Sequence, residues 1–258
     1  MNASTPRVYR TEAIVLRGLD FGEADRILTI FTLNRGKLRV IAKGVRKTRS
    51  RMSGHLDLFT RSALQMAHGR QMDIVTQAET IDAYADLRTD LWRSNWAHYI
   101  ADLVESFTAE EQVNPAIYAL AVRTLSRVAE LPLPDLVVRA FELELLTLAG
   151  YRPQLHHCIH CQSEVQQEEN RFSARMGGVL CSRCISIDPS AGLIGTASLK
   201  LLRNLQTNSE AVLALQSVTD GARLEAERHL RLYIEQRLEA RPRSVAVLER
   251  LKSDRAPS

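Results

Sequence analysis

EAIVLRGLDFGEADRILTIFTLNRGKLRVIAKGVRK, residues Glu12–Lys47, carries three β-like runs in quick succession. Ala13-Ile14-Val15-Leu16 is a short apolar run, and Ile27 to Leu33 is rich in β-branched and aromatic residues. Leu38 to Ala42 follows the turn signal Asn34-Arg35-Gly36, so the second and third runs pair as a hairpin. Beyond a polar, basic loop from Gly44 to Gly54 come two further runs, Leu56 to Met66 and Met72 to Ile81, divided by the turn His68-Gly69-Arg70. Five short strands within about 80 residues suggest a small barrel of OB type. A five-stranded sheet with helical additions gives much the same pattern.

From Leu87 the apolar period lengthens from two to about four, through Leu91, Tyr99, Leu103, Val104 and Phe107. Trp92 and Trp96 fall on this helix, where packing in the core is their expected role. Asn114-Pro115 supplies a cap and first-turn pair for the next helix, and Pro134 to Ala149 reads as an apolar helix stopped by Gly150. Helical pattern resumes from Thr196 to about Ala240. The expected fold class is therefore α+β: an N-terminal five-stranded OB-fold barrel, then a mostly helical domain with an inserted four-cysteine segment. The expected limits are 1–82 for the barrel, 83–154 and 191–258 for the two helical parts, and 155–190 for the insert. The ends, up to about Pro6 and beyond about Lys252, read as disordered.

The insert holds the sharpest local signal. Cys158 and Cys161, then Cys181 and Cys184, form two C-x2-C pairs that use all four cysteines of the chain. A C-x2-C turn presents two sulfurs to one metal, and two such turns complete a tetrahedron, which points to one Zn2+ per chain. Four thiolates leave no open position for water, so the zinc is expected to be structural. Paired disulfides or unrelated buried thiols are the alternatives. Gly177-Gly178 lies just before the second pair, where the backbone must bend closely. His156, His157 and His160 are expected to face solvent.

The chain carries 34 Lys and Arg against 30 Asp and Glu, a formal charge of +4, which names no partner by itself. The distribution is more telling. Residues 1–80 hold 14 basic and 7 acidic residues, leaving 20 and 23 for the rest. Arg35, Lys37, Arg39, Lys43, Arg46, Lys47, Arg49 and Arg51 occur without one acidic residue among them. A solvated cationic loop is the bland reading; on an OB surface, phosphate-led binding of nucleic acid with weak sequence preference is the sharper one. Of the N-terminal aromatics Tyr9, Phe21, Phe31 and Phe59, most are expected in the core rather than stacked on bases.

Walker A, G-x-G-x-x-G, H-E-x-x-H and G-x-S-x-G motifs are absent, and adjacent carboxylates such as Glu110-Glu111 and Glu168-Glu169 do not face one another on a helix. No catalytic residue is expected and nothing requires an enzyme. The start MNASTPR has no apolar signal core, and no apolar run approaches the roughly 18 residues of a membrane span. The reading is a cytoplasmic protein with no membrane contact.

The Glu12–Lys47 string resembles the opening of the bacterial RecO family, with Phe21-Gly22-Glu23, Asp25, Phe31-Thr32, Gly36 and Ala42-Lys43-Gly44 in place. FELELLTLAGYRPQLHHCIHC and RFSARMGGVLCSRC are similar to that family's helix, exit turn and cysteine pairs, and HLRLYIEQRLEARPRS is a weaker match. The resemblance implies a nucleoid-associated, non-enzymatic mediator. Such a protein binds single- and double-stranded DNA, anneals complementary strands, and with RecR helps load RecA on DNA coated by single-stranded-DNA-binding protein, docking that protein's C-terminal tail. Arg123, Leu125, Arg127 and Val128 fit either a docking groove for this tail or an ordinary amphipathic helix. Gln162 stands where members often have Gly, and Glu239-Ala240 replaces a Gly-containing turn. A zinc-ribbon OB-fold RNA-binding or translation factor is the alternative from a different class.

Overall fold

The computed structural model describes residues 7–132, 134–166, 169–209 and 218–255. It divides into two compact units, the first comprising residues up to Glu130 together with those from Arg243, the second Leu131–Pro242. The grouping differs from the expected limits, because the helices directly after the strands belong with them.

In the first unit, β1 (Val8–Phe21), β2 (Asp25–Thr32), β3 (Gly36–Ala42), β4 (Arg61–Ala67) and β5 (Asp73–Asp82) close into a barrel of order β1-β2-β3-β5-β4. β1 pairs with both β2 and β4, and β3 runs parallel to β5. This closure excludes the open-sheet alternative. Alternation explains the interior: Ala13, Val15, Leu28, Ile30, Leu38, Val40, Leu64, Met66 and Val75 turn inward to form one apolar cluster. Phe31 has the opposite parity, yet is fully buried because its ring meets Tyr118 outside the barrel, 5.9 Å away.

The helices of this unit are α1 (Asp86–Thr89), α2 (Leu91–Phe107) and α3 (Pro115–Glu130). Asp90 caps α2 by accepting from the Arg93 amide, and Asn114 caps α3 by accepting from that of Ile117. Trp96 is fully buried, as expected of a core residue, and meets Trp92 edge-on; Trp92 is only half-buried. Leu125 and Val128 are buried as well, which removes both from any docking surface. Glu12 ties barrel to helix by accepting from Arg61 Nε at 2.7 Å and from the Tyr118 hydroxyl at 2.9 Å.

The second unit contains α4 (Pro134–Leu148), a small sheet, α5 (Thr196–Thr207) and α6 (Asp220–Leu238). The sheet orders β6 (Asn170–Ser173), β7 (Gly178–Leu180) and β8 (Gly192–Ile194) as β7-β6-β8. The helical pattern expected from Thr196 to about Ala240 is seen as α5 and α6 among the described residues, and residues 210–217 between them lie outside those described. Glu168 and the residues up to Pro6 lie outside them too. At the other end, α7 (Val245–Arg255) of the first unit continues past the point where disorder was expected.

Candidate nucleic-acid interface and metal centre

β3 alternates Leu38, Val40 and Ala42 inward with Lys37, Arg39 and Ile41 outward, so the strand itself aims part of the cationic run away from the core. The cations then separate by what holds them. Lys37 Nζ donates to the carbonyl oxygens of Glu105 at 2.5 Å and Thr108 at 2.6 Å, neutralising the C-terminal end of α2. Arg46 is engaged with the β1–β2 hairpin, its Nε 3.3 Å from Asp20 Oδ2. Arg35 lies over the Tyr9 ring, 3.9 Å from its centre. The side chains of Arg39, Lys43, Lys47, Arg49 and Arg51 are exposed, and no hydrogen-bond or ion-pair partner is seen for them among the described residues.

Their positions also differ. Arg35 and Arg39 line a cleft of about 790 Å³ with Arg70 and His68 on one wall and Glu110 and Glu111 on another. Arg51 instead lines a second cleft with Arg10 and Gln65, over β1, β4 and β5. Lys43, Lys47 and Arg49 occupy the turns that follow β3. Arg70 was missed by the sequence reading, although the loop joining the last two strands is a usual ligand-side loop of OB folds. Asp73, which lines this cleft, accepts from the Tyr9 hydroxyl at 2.5 Å, and burial together with that bond raises the Tyr9 pKa well above the ordinary phenol range.

Gly36 shows how tightly the covered end of β3 is packed. Its φ is +69°, and a Cβ there would lie 2.1 Å from the Gln112 carbonyl oxygen. The segment after α2 crosses at this point, the Glu111 amide donating to the Lys37 carbonyl.

In the second unit, the Sγ atoms of Cys158, Cys161, Cys181 and Cys184 all lie within 4.8 Å of one another. Those of Cys161 and Cys181 are 3.7 Å apart. A tetrahedral metal with metal–sulfur distances of about 2.3 Å has sulfur–sulfur edges of about 3.8 Å, so the donor set fits such an ion. Two turns build it: the Gln162 amide donates to the Cys158 carbonyl, and that of Cys184 to the Cys181 carbonyl. Burial acts to raise the Cys158 pKa, but backbone amides of Cys161, Cys181 and His160 outweigh it and lower the value. Hydrogen bonding to Ser163 lowers the Cys161 thiol to about 6, whereas burial raises that of Cys184 to about 12. No histidine joins this cluster among the described residues, and His157 and His160 are exposed.

The glycine pair behaves as its position suggested. Gly177 has φ +86°, with the Tyr233 hydroxyl 2.9 Å from where a Cβ would sit, and Gly178 lies against the Gln154 backbone. Arg171 and Arg175 contact Glu169 and Asp188, while Arg183 reaches the Ser163 hydroxyl beside the cysteines.

The family model described as recombination protein O N terminal matches residues 7–84, and that described as recombination protein O C terminal matches residues 88–246. The DNA repair protein RecO of Roseiflexus sp. (strain RS-1) is 43% identical, the match covering 94% of this chain and 86% of that protein. Those of Desulforudis audaxviator (strain MP104C) and Dehalococcoides mccartyi (strain CBDB1) are 37% and 34% identical, each covered over 97% of its length.

Proposed function

The chain belongs to the RecO family of DNA repair proteins, and on that premise we propose that it is a non-enzymatic mediator of recombinational repair that binds DNA through its barrel. The observation that carries this reading is the set of exposed cations on β3 and the turns after it for which no partner is seen among the described residues. Lys37 and Arg46 serve the fold, and Arg39, Lys43, Lys47 and Arg49 keep their charge for an outside anion.

The mechanism follows from phosphate electrostatics. Two DNA strands repel, and a surface that neutralises phosphates on both lowers the barrier to their meeting. Base pairing then supplies the specificity that phosphate contacts lack. In this reading the protein acts in the cytoplasm at the nucleoid, with RecR and with single-stranded-DNA-binding protein as partners, and helps RecA onto the coated strand. No helix among the described residues is long and apolar enough to cross a membrane.

Cys158, Cys161, Cys181 and Cys184 would hold Zn2+, which supplies cross-linking rather than chemistry because all four positions are sulfur. Bound there, the ion would join the turn before β6 to the turn after β7, in a segment whose described strands are short.

The test is annealing of complementary oligonucleotides coated with single-stranded-DNA-binding protein. Acceleration over the protein-free rate is expected. Failure to accelerate, with tighter binding to RNA than to DNA, would select the RNA-binding alternative.

A further inference from the structure

The outer face of β1, β2 and β3 is covered at one end and open at the other. Register places its residues in rows across the three strands. Phe31 faces Lys37 in the first row, Arg17, Thr29 and Arg39 form the second, and Leu19, Ile27 and Ile41 form the third. Phe21 stands opposite Asp25 at the hairpin end. Successive rows are about 6.8 Å apart, the distance between residues i and i+2 of a strand. Helices and the segment after α2 bury the first row. Beyond it, Leu19 is 61% exposed and Phe21 50% exposed.

We propose that this open end is a stacking surface for the unpaired bases of single-stranded DNA, with Phe21 and Leu19 receiving bases while Arg39 and Lys43 meet the phosphates beside them; Arg17, in the row of Arg39, is paired with Glu105 at 3.9 Å. Its site deepens the DNA-binding reading and rests on it. The occupant follows from charge and shape together. An apolar row flanked by cations suits a polyanion that also offers flat apolar groups. A duplex offers the phosphates but keeps its bases stacked inside. An unpaired strand offers both, and stacking on aromatic side chains tolerates any sequence.

The hairpin is held ready for this role. Asp20 accepts from Arg26 Nε at 3.1 Å and pairs with Arg46 Nε at 3.3 Å. The Arg46 amide donates to the Ala24 carbonyl, and that of Gly44 to Asp25 Oδ1 at 2.7 Å. Fixing the hairpin to the turn after β3 before DNA arrives lowers the ordering cost of binding. The cationic segment and the apolar tip are thus one connected structure.

The experiment uses the full chain and Phe21→Ser, with Phe21→Trp as the conservative variant. Probes are a thymidine single strand of about 20 nucleotides, the same strand with abasic sites, and a duplex of equal length. Loss of one stacked base corresponds to about a tenfold loss of affinity. Phe21→Ser is expected to bind the normal single strand about tenfold more weakly, to bind the duplex within about twofold of wild type, and to lose discrimination against the abasic strand. Phe21→Trp should restore the single-strand affinity and the discrimination. Equal losses on single strand and duplex, or no loss on either, would overturn the proposal and leave the apolar row to a protein partner. A wild type that binds no DNA would instead sink the DNA-binding reading itself. Equal thermal midpoints of the variants establish that folding is unchanged.

Discussion

Lys37 Nζ lies 2.5 Å from the carbonyl oxygen of Glu105, in the last turn of α2. A lysine in the middle of a cationic run thus fastens a barrel strand to a helix. Hydrogen bonds from a charged donor contribute roughly 1.5–3 kcal/mol. Lys37→Ala is expected to lower stability by about that amount, whereas Arg39→Ala, which removes an exposed side chain, should stay within about 0.5 kcal/mol. Urea unfolding of the two variants checks this, and equal stabilities would contradict the division between tied and free cations.

Gln162 and Glu239 have φ of +60° and +52°. Both are positions where the resemblance leads one to expect glycine or a glycine-containing turn. A side chain in this left-handed region costs about 1 kcal/mol or more, and Glu239 is the residue that ends α6. Gln162→Gly and Glu239→Gly are each expected to raise stability by about 1 kcal/mol, read as a higher thermal midpoint. A decrease in either would show that the side chain makes a contact worth more than the strain.

Loss of the proposed Zn2+ should affect the two units unequally. With Zn2+ chelated, or with Cys158→Ser, residues 153–190 are expected to become protease-sensitive while the barrel retains most of its DNA affinity. Proteolysis followed by mass mapping, beside a DNA titration, measures both effects. Complete loss of DNA binding by a chain whose barrel stays protected would place the cysteine segment in the interface.

Acid should act through Glu12. Burial alone would raise its pKa, but hydrogen bonds from Arg61 and Tyr118 and the Arg61 charge outweigh burial and lower it. A carboxylate with a lowered pKa in the folded state contributes stability that is present above its unfolded pKa of about 4.3 and lost as pH falls through the folded value. Glu12→Gln is expected to be less stable than wild type at neutral pH and to approach it at low pH. Parallel pH–stability curves would show that Glu12 is not the group responsible.

Much of the barrel was legible because its interior rests on a period-two pattern, visible in Leu38, Val40 and Ala42 or Leu64 and Met66. Closure was not, since the pairing of Tyr9 with Met66 is long-range and leaves no local signature. The cysteine cluster was legible from spacing, because C-x2-C turns are local. The cationic site was legible only as a run. Nothing near Lys37 reveals that its partners lie at Glu105 and Thr108, and nothing near Phe21 distinguishes it from Phe31. One lies at an open hairpin end, while the other sits beneath Tyr118.

The most direct test of the central claim is the salt dependence of single-strand affinity for wild type and the Arg39→Ala, Lys43→Ala, Lys47→Ala triple variant. If about five phosphates are neutralised, log affinity should fall with log salt at a slope of roughly −3.5, and losing three contacts should reduce the slope to roughly −1.4. A flat wild-type response, or an unchanged slope in a folded triple variant, would contradict the assignment of DNA to β3 and the turns that follow it.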